Sequence, residues 1–97
     1  LPSIYAAQAF DTAMMIDAAV RDVKGELDNK DALRAALKKA NFKSVRGEFR
    51  FGANQFPVQD YYLRTIGKDA QGRITNRTLN KVFANHQDAY ASQCAMK

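Results

Sequence analysis

Tyr5-Ala6-Ala7-Gln8-Ala9-Phe10-Asp11 is the stretch on which the reading of this chain turns. From Ile4 to Val20 the polar residues besides Tyr5 are Gln8, Asp11, Thr12 and Asp17. A surface helix carries a wide polar face, whereas a helix that is apolar nearly all round is normally buried. A chain of 97 residues offers little to bury it in. The segment is therefore expected to be a helix of a larger molecule, with this chain a piece of it. The chain opens at Leu1-Pro2-Ser3 without Met, which suits a processed or excised segment.

Working outward, Ser3 is placed to cap this first helix and Gly25 to stop it. Asp28 or Asn29 then caps a second helix, in which Leu33, Ala36, Leu37 and Ala40 recur at helical spacing. Lys38-Lys39 fall near its end, where cations complement the helix dipole. The period changes after Phe42. Glu48-Phe49-Arg50-Phe51 alternates like a half-buried strand between Gly47 and Gly52. Val58 to Ile66 is a second strand, with Pro57 at its start, where a missing N–H is tolerated. Lys68-Asp69-Ala70-Gln71-Gly72 has turn chemistry, so Arg73 to Phe83 is expected to pair back as a hairpin. His86 to Ser92 is expected to form a short helix. The order is two helices, short strand, hairpin, short helix. It reads as α+β if the chain is complete, and equally as the tail of an α/β protein.

Composition narrows the function classes. Apolar residues make up 46% of the chain, enough for a packed core. There is no apolar run of membrane-spanning length and no visible signal peptide. Fifteen basic and ten acidic residues give a net charge of +5, but the basic residues are scattered and read as a solvated surface. The single cysteine, Cys94, is either a free thiol or half of a bridge to a segment outside the chain. One histidine, His86, cannot build a zinc site with the ligands present. In a helix, His86 and Cys94 would stand about 12 Å apart, too far for proton transfer. No phosphate-binding loop and no nucleophile elbow occur, so the chain is not expected to be an enzyme or to carry a cofactor.

Two further constellations leave alternatives open. Tyr5 and Gln8 share one face at the start of the first helix. Free N–H groups and partial positive charge there suit a carboxylate, so the pair could line a ligand pocket; equally, they could be core residues. Phe49, Phe51, Phe56, Tyr61 and Tyr62 are interleaved with Arg46, Arg50 and Arg64, as in a base-stacking sheet or as in an ordinary two-sided one. Asp11 and Asp17, six residues apart, lie on different faces and read as local capping or salt-bridging groups.

Three stretches, taken in order, resemble the C-terminal part of the periplasmic solute-binding proteins of ABC transporters, nearest to the leucine/isoleucine/valine-binding type. They are Tyr5–Asp11; Ser44-Val45-Arg46-Gly47-Glu48-Phe49-Arg50-Phe51 with Asn54-Gln55-Phe56-Pro57-Val58-Gln59-Asp60-Tyr61-Tyr62-Leu63; and His86-Gln87-Asp88-Ala89-Tyr90-Ala91 with Cys94. The helix Asp31-Ala32-Leu33-Arg34-Ala35-Ala36-Leu37 lies between the first two. The resemblance implies an α/β fold of two lobes joined by three hinge strands, with ligand in the cleft between them. Residues 1–55 would belong to the first lobe. Residues 56–97 would supply a hinge strand, the hairpin and a C-terminal tail reaching the second lobe. By the same resemblance Tyr5 lines the cleft, Gln8 is a weaker ligand-binding candidate, and the main contacts to ligand lie upstream. The implied function is capture of a small amino acid or an organic or aromatic acid in the periplasm, for delivery to a membrane permease. Cys94 would then pair with an upstream cysteine. The competing reading is a small basic α+β module that binds nucleic acid or a protein. On the fragment reading, the isolated chain is expected to self-associate through its apolar helix.

Overall fold

The computed structural model describes residues 3–95. Helix α1 runs over Ile4–Asp22, and its N-cap is Ser3, whose hydroxyl accepts from the Ala6 N–H at 3.3 Å. It ends at Val23, and Lys24 and Gly25 follow with positive φ; the Gly25 N–H returns to the Val20 carbonyl at 2.9 Å. Helix α2 covers Lys30–Lys39, and of the two expected caps Asn29 serves, accepting from the Ala32 N–H at 3.1 Å. Lys38 and Lys39 occupy its last turn as expected, and Lys39 Nζ also reaches Asp22 at 2.7 Å, joining the ends of the two helices.

A three-stranded antiparallel sheet follows, in the order β1-β2-β3. Strand β1 is only Arg50–Phe51, β2 is Pro57–Lys68 and β3 is Ile74–His86. The β1 strand pairs Arg50 with Val58 and Phe51 with Pro57, so it covers one end of the β2 edge and no more. The β2–β3 hairpin turns where expected. Asp69 closes the turn by accepting from the N–H groups of Gln71 and Arg73, both at 2.9 Å, and Gly72 takes the φ of +76° that the turn requires. From Arg64–Thr78 to Lys68–Ile74 the ladder is regular, but between Gln59 and Arg64 it is broken by three register shifts.

The chain ends in a 3₁₀ helix, Ala91–Gln93, shorter and later than the helix expected over His86–Ser92. His86 is instead the last residue of β3, where its ring meets Tyr61 and Phe83 at centroid distances of 5.5 and 5.2 Å. Cross-strand aromatic pairing has outweighed local helix preference there.

The interior is thin. Among the described residues its buried apolar members are Ala19, Ala36, Ala40 and Val58, and three polar residues are buried with them: Asp11, Asn54 and Gln59. Helix α2 covers a single stripe of α1, and the rest of its apolar surface stays in water: Ile4, Tyr5, Phe10 and Ile16 are all at least half exposed. The hairpin behaves alike, with Leu63, Ile66, Leu79 and Phe83 exposed. The molecule is elongated and flat, 50 × 34 × 16 Å.

Candidate ligand-binding groove

Asp11 is the organising residue of the space between helices and sheet. It is 1% exposed, and it is not the locally bonded group expected from the sequence. Asp17 does act locally, pairing with Arg21 at 2.8 Å. Asp11 instead accepts from the Ser44 hydroxyl at 2.6 Å, the Val45 N–H at 3.0 Å and Arg46 Nε at 2.6 Å. A buried carboxylate persists only when it is paired and hydrogen-bonded, and these donors meet that demand. Burial by itself raises the Asp11 pKa. The hydrogen bonds from Ser44, Val45 and Arg46, with the charge of Arg46, outweigh it and hold the carboxyl below the ordinary aspartate value.

Arg46 carries the connection onward. Its second nitrogen donates to the Gln59 side-chain oxygen at 2.8 Å, and the Gln59 amide donates to the Tyr61 hydroxyl at 3.1 Å. The guanidinium also lies over the Phe49 ring, 4.9 Å from its centroid. Phe49 in turn packs against Phe42 and Phe51 at 5.3 and 5.2 Å. Two of the aromatics considered for base stacking are thus spent on one another and on Arg46.

A second polar cluster sits on the hairpin. Asp60 forms an ion pair with Lys81, accepts from the Asn85 N–H at 2.9 Å, and receives the Tyr62 hydroxyl at 3.4 Å. The Lys81 hydrogen bond, followed by that from Asn85, depresses the Asp60 pKa.

A groove of about 470 Å³ opens between the first two turns of α1 and the face of the hairpin from Gln59 out to the Ile66–Asn76 pair. Ser3, Ile4, Ala7 and Gln8 form its helical wall. Arg46, Gln59, Tyr61 and Arg64 face them from the other side. Its volume lies within the range of small-molecule sites. A helix N-terminus on one wall and Arg64 on the other favour an anion, while Arg46 is already paired with Asp11 and Asp60 in the same lining with Lys81. A second hollow of about 340 Å³ lies beyond Arg46, toward Phe42, Phe49 and Phe51, and Gln8 borders both.

Of the residues singled out in the sequence, Gln8 lines the groove. Tyr5 does not: it points to solvent, 77% exposed, at the edge of the helix start. Cys94 is a half-buried free thiol just after the 3₁₀ helix. His86 is held against Tyr61 and Phe83 on the hairpin. Among the described residues, no three His, Cys, Asp or Glu side chains gather as a metal site, and no helix is long and apolar enough to cross a membrane. Gln59 was missed as a site residue, and Arg46, like Tyr61, Tyr62 and Arg64 of the same lining, was weighed only for base stacking. The one signal for them was Asp11 itself, an acid on an otherwise apolar helix, which calls for a cation from elsewhere.

No protein-family model and no curated protein matches the chain. A solved structure does: a solute-binding protein of an ABC transporter from R. palustris, in complex with benzoate. The two are 33% identical over 91% of this chain, and the structures agree with a TM-score of 0.73. The fold is that of a piece of a periplasmic binding protein. The chain spans 23% of the length of the R. palustris protein.

Proposed function

We propose that this chain is a segment of a periplasmic solute-binding protein that captures a small organic acid between two lobes and delivers it to an ABC-transporter permease. The observation that carries the reading is the similarity to the benzoate-bound protein, at 33% identity over nearly the whole of this chain. Residues 1–55 are assigned to the first lobe and residues 56–97 to a hinge strand, the hairpin and the returning tail. The broad exposed apolar surface of α1 fits a helix that packs on upstream strands. Tyr5, solvent-facing at the helix start, and Gln8, on the groove wall, are assigned to the ligand cleft. Cys94 is assigned to a disulfide with an upstream cysteine.

The ligand class follows from charge. The α1 N-terminus and Arg64 favour a carboxylate in the groove, and Tyr61 in its lining offers an aromatic face for an apolar body. Benzoate, the neighbour's ligand, combines these two features. An amino acid also has a carboxylate, but the leucine/isoleucine/valine type rests on the resemblance of the sequence stretches alone.

The test is calorimetric titration of the longer protein that contains this chain, with benzoate and with leucine in parallel. Saturable binding of benzoate supports the organic-acid reading, and binding of leucine alone moves the protein to the amino-acid branch. An open reading frame that starts immediately before Leu1 would overturn the segment reading.

A further inference from the structure

The hairpin concentrates charge of one sign. From Tyr61 to Gln87 it carries Arg64, Lys68, Arg73, Arg77 and Lys81 against a single carboxylate, Asp69. Asp69 is spent on its own turn, where it pairs with Arg73 at 2.8 Å and accepts from the Gln71 and Arg73 N–H groups. Lys81 is paired with Asp60 at the foot of the hairpin. Arg64, Lys68 and Arg77 have no ion pair among the described residues. Gly67 draws this charge toward the tip. A Cβ there would stand 3.1 Å from Arg77 Cδ, so the bare glycine lets the Arg77 stem lie across β2. One guanidinium nitrogen lies 3.9 Å from the same point, one residue along from Lys68.

Apolar side chains stand among these cations. The register pairs Ile66 with Asn76 and Lys68 with Ile74, so Arg64, Ile66, Lys68 and Ile74 share one face. Ile66 is 69% exposed and Ile74 65%. Arg64 and Ile66 also line the groove, whereas Lys68, Ile74 and Arg77 lie outside its lining. This mixture discriminates between occupants. Burial against an apolar protein core would strand Lys68 and Arg77 without partners. An acidic protein surface would pair the cations but leave Ile74 in water. The interface of an anionic membrane accepts both, since its phosphates meet the cations while isoleucine enters the acyl boundary.

We propose that the distal end of the β2–β3 hairpin docks on an anionic lipid surface. Lys68 and Arg77 meet lipid phosphates, and Ile74 enters the boundary between headgroups and acyl chains. The turn between the strands offers nothing to oppose the contact. Ala70, Gln71 and Gly72 are uncharged and exposed, and Asp69 is neutralised by Arg73. The attraction is electrostatic at range and apolar at contact, so it weakens as salt is raised. The inference goes beyond solute capture and does not rest on it, because none of these three side chains lines the groove.

The test places an environment-sensitive fluorophore at the tip, on Ala70→Cys with Cys94→Ser, and in a second protein on Ala35→Cys with Cys94→Ser, at an exposed position of α2. Vesicles of phosphatidylcholine, alone or mixed with phosphatidylglycerol, are titrated into each protein with no solute present. The tip label is expected to shift to the blue, saturably, with the phosphatidylglycerol vesicles and not with phosphatidylcholine alone. The α2 label is expected to stay unchanged. Lys68→Gln with Arg77→Gln should weaken the affinity roughly 30-fold, the loss of two cations near a charged surface. Ile74→Ser should weaken it roughly tenfold. The side chains changed are exposed, and the comparison of the two vesicle types needs neither variant. No shift at the tip, an equal shift with neutral vesicles, or an undiminished affinity in the double variant overturns the proposal. An equal shift of the α2 label assigns adhesion to the exposed face of α1 and overturns it as well. Binding to polyglutamate without any response to vesicles would transfer the tip to an acidic protein partner. Because no solute enters the measurement, a failure of solute binding in the longer protein would leave this result untouched.

Discussion

Asp11 Oδ2 lies 2.6 Å from Arg46 Nε across 35 residues of sequence, with 2% of the aspartate side chain and 18% of the arginine side chain exposed. Removing one partner leaves the other charge buried and uncompensated. Asp11→Ala is expected to destabilise the chain by about 3 kcal/mol, in the range for breaking a buried pair from one side. Replacing both partners, Asp11→Leu with Arg46→Met, should cost less than the sum of the two single changes. Denaturant titration of the four proteins in the cycle checks this. Strict additivity would mean that the pair contributes no coupling.

The same carboxylate makes stability depend on acid. Its folded-state pKa is depressed below the ordinary aspartate value, so the folded state prefers the ionised form. The contribution is fully present above the unfolded value and is lost as pH falls through the lower folded value. The melting temperature should therefore drop as pH falls below about 4, and Asp11→Asn should flatten that drop. An Asn variant with the same acid profile as the parent chain would assign the transition to other carboxylates, of which Asp60 and Asp69 are also depressed.

Tyr5 separates binding from folding. With 77% of its surface in water, it contributes little to the packing of this chain. Tyr5→Ala should leave the melting temperature nearly unchanged and should weaken solute binding by the longer protein by roughly 1–3 kcal/mol, the range of one aromatic contact plus its buried area. An unchanged dissociation constant would remove Tyr5 from the site.

On its own, the 97-residue chain is expected to self-associate. Ile4, Phe10 and Ile16 on α1 and Ile66, Leu79 and Phe83 on the hairpin leave more apolar surface exposed than a monomer of this size normally tolerates. The free edge of β3 adds a row of unpaired backbone groups. Light scattering at micromolar concentration should return at least a dimer mass. A monodisperse monomer that withstands denaturant would count against the prediction.

Much of the backbone was legible because local chemistry determines it. Ser3 and Asn29 cap helices whether or not anything packs on them, and Asp69 and Gly72 close their turn from within five residues. The short helix expected over His86–Ser92 forms only at Ala91–Gln93, because Tyr61, 25 residues upstream, draws His86 into the ladder. The groove was legible on one side only. Gln8 shows itself by interrupting an apolar helix. Arg46 looked like one more scattered cation, because its role depends on a carboxylate that spacing alone cannot bring to it. Tyr5 was legible as an aromatic at a helix start, but its exposure depends on the absence of a neighbouring surface, which no local pattern encodes.

The feet of the hairpin stand side by side: Gln59 is registered opposite His86, and Asn54 is bonded to Asp88 just below them. The chain thus enters the hairpin and leaves it beside the β1–β2 turn. Residues between those feet behave as cargo on a two-pronged socket. A peptide epitope or a fluorescent reporter spliced in between Ala70 and Gln71 would ride on the tip, beyond the Ile66–Asn76 pair that lines the groove. Whole register pairs could likewise be removed from both strands to shorten the arm. The helices would keep their partners through such edits, which makes this segment a natural grafting point for sensors that read one end of the molecule against the other.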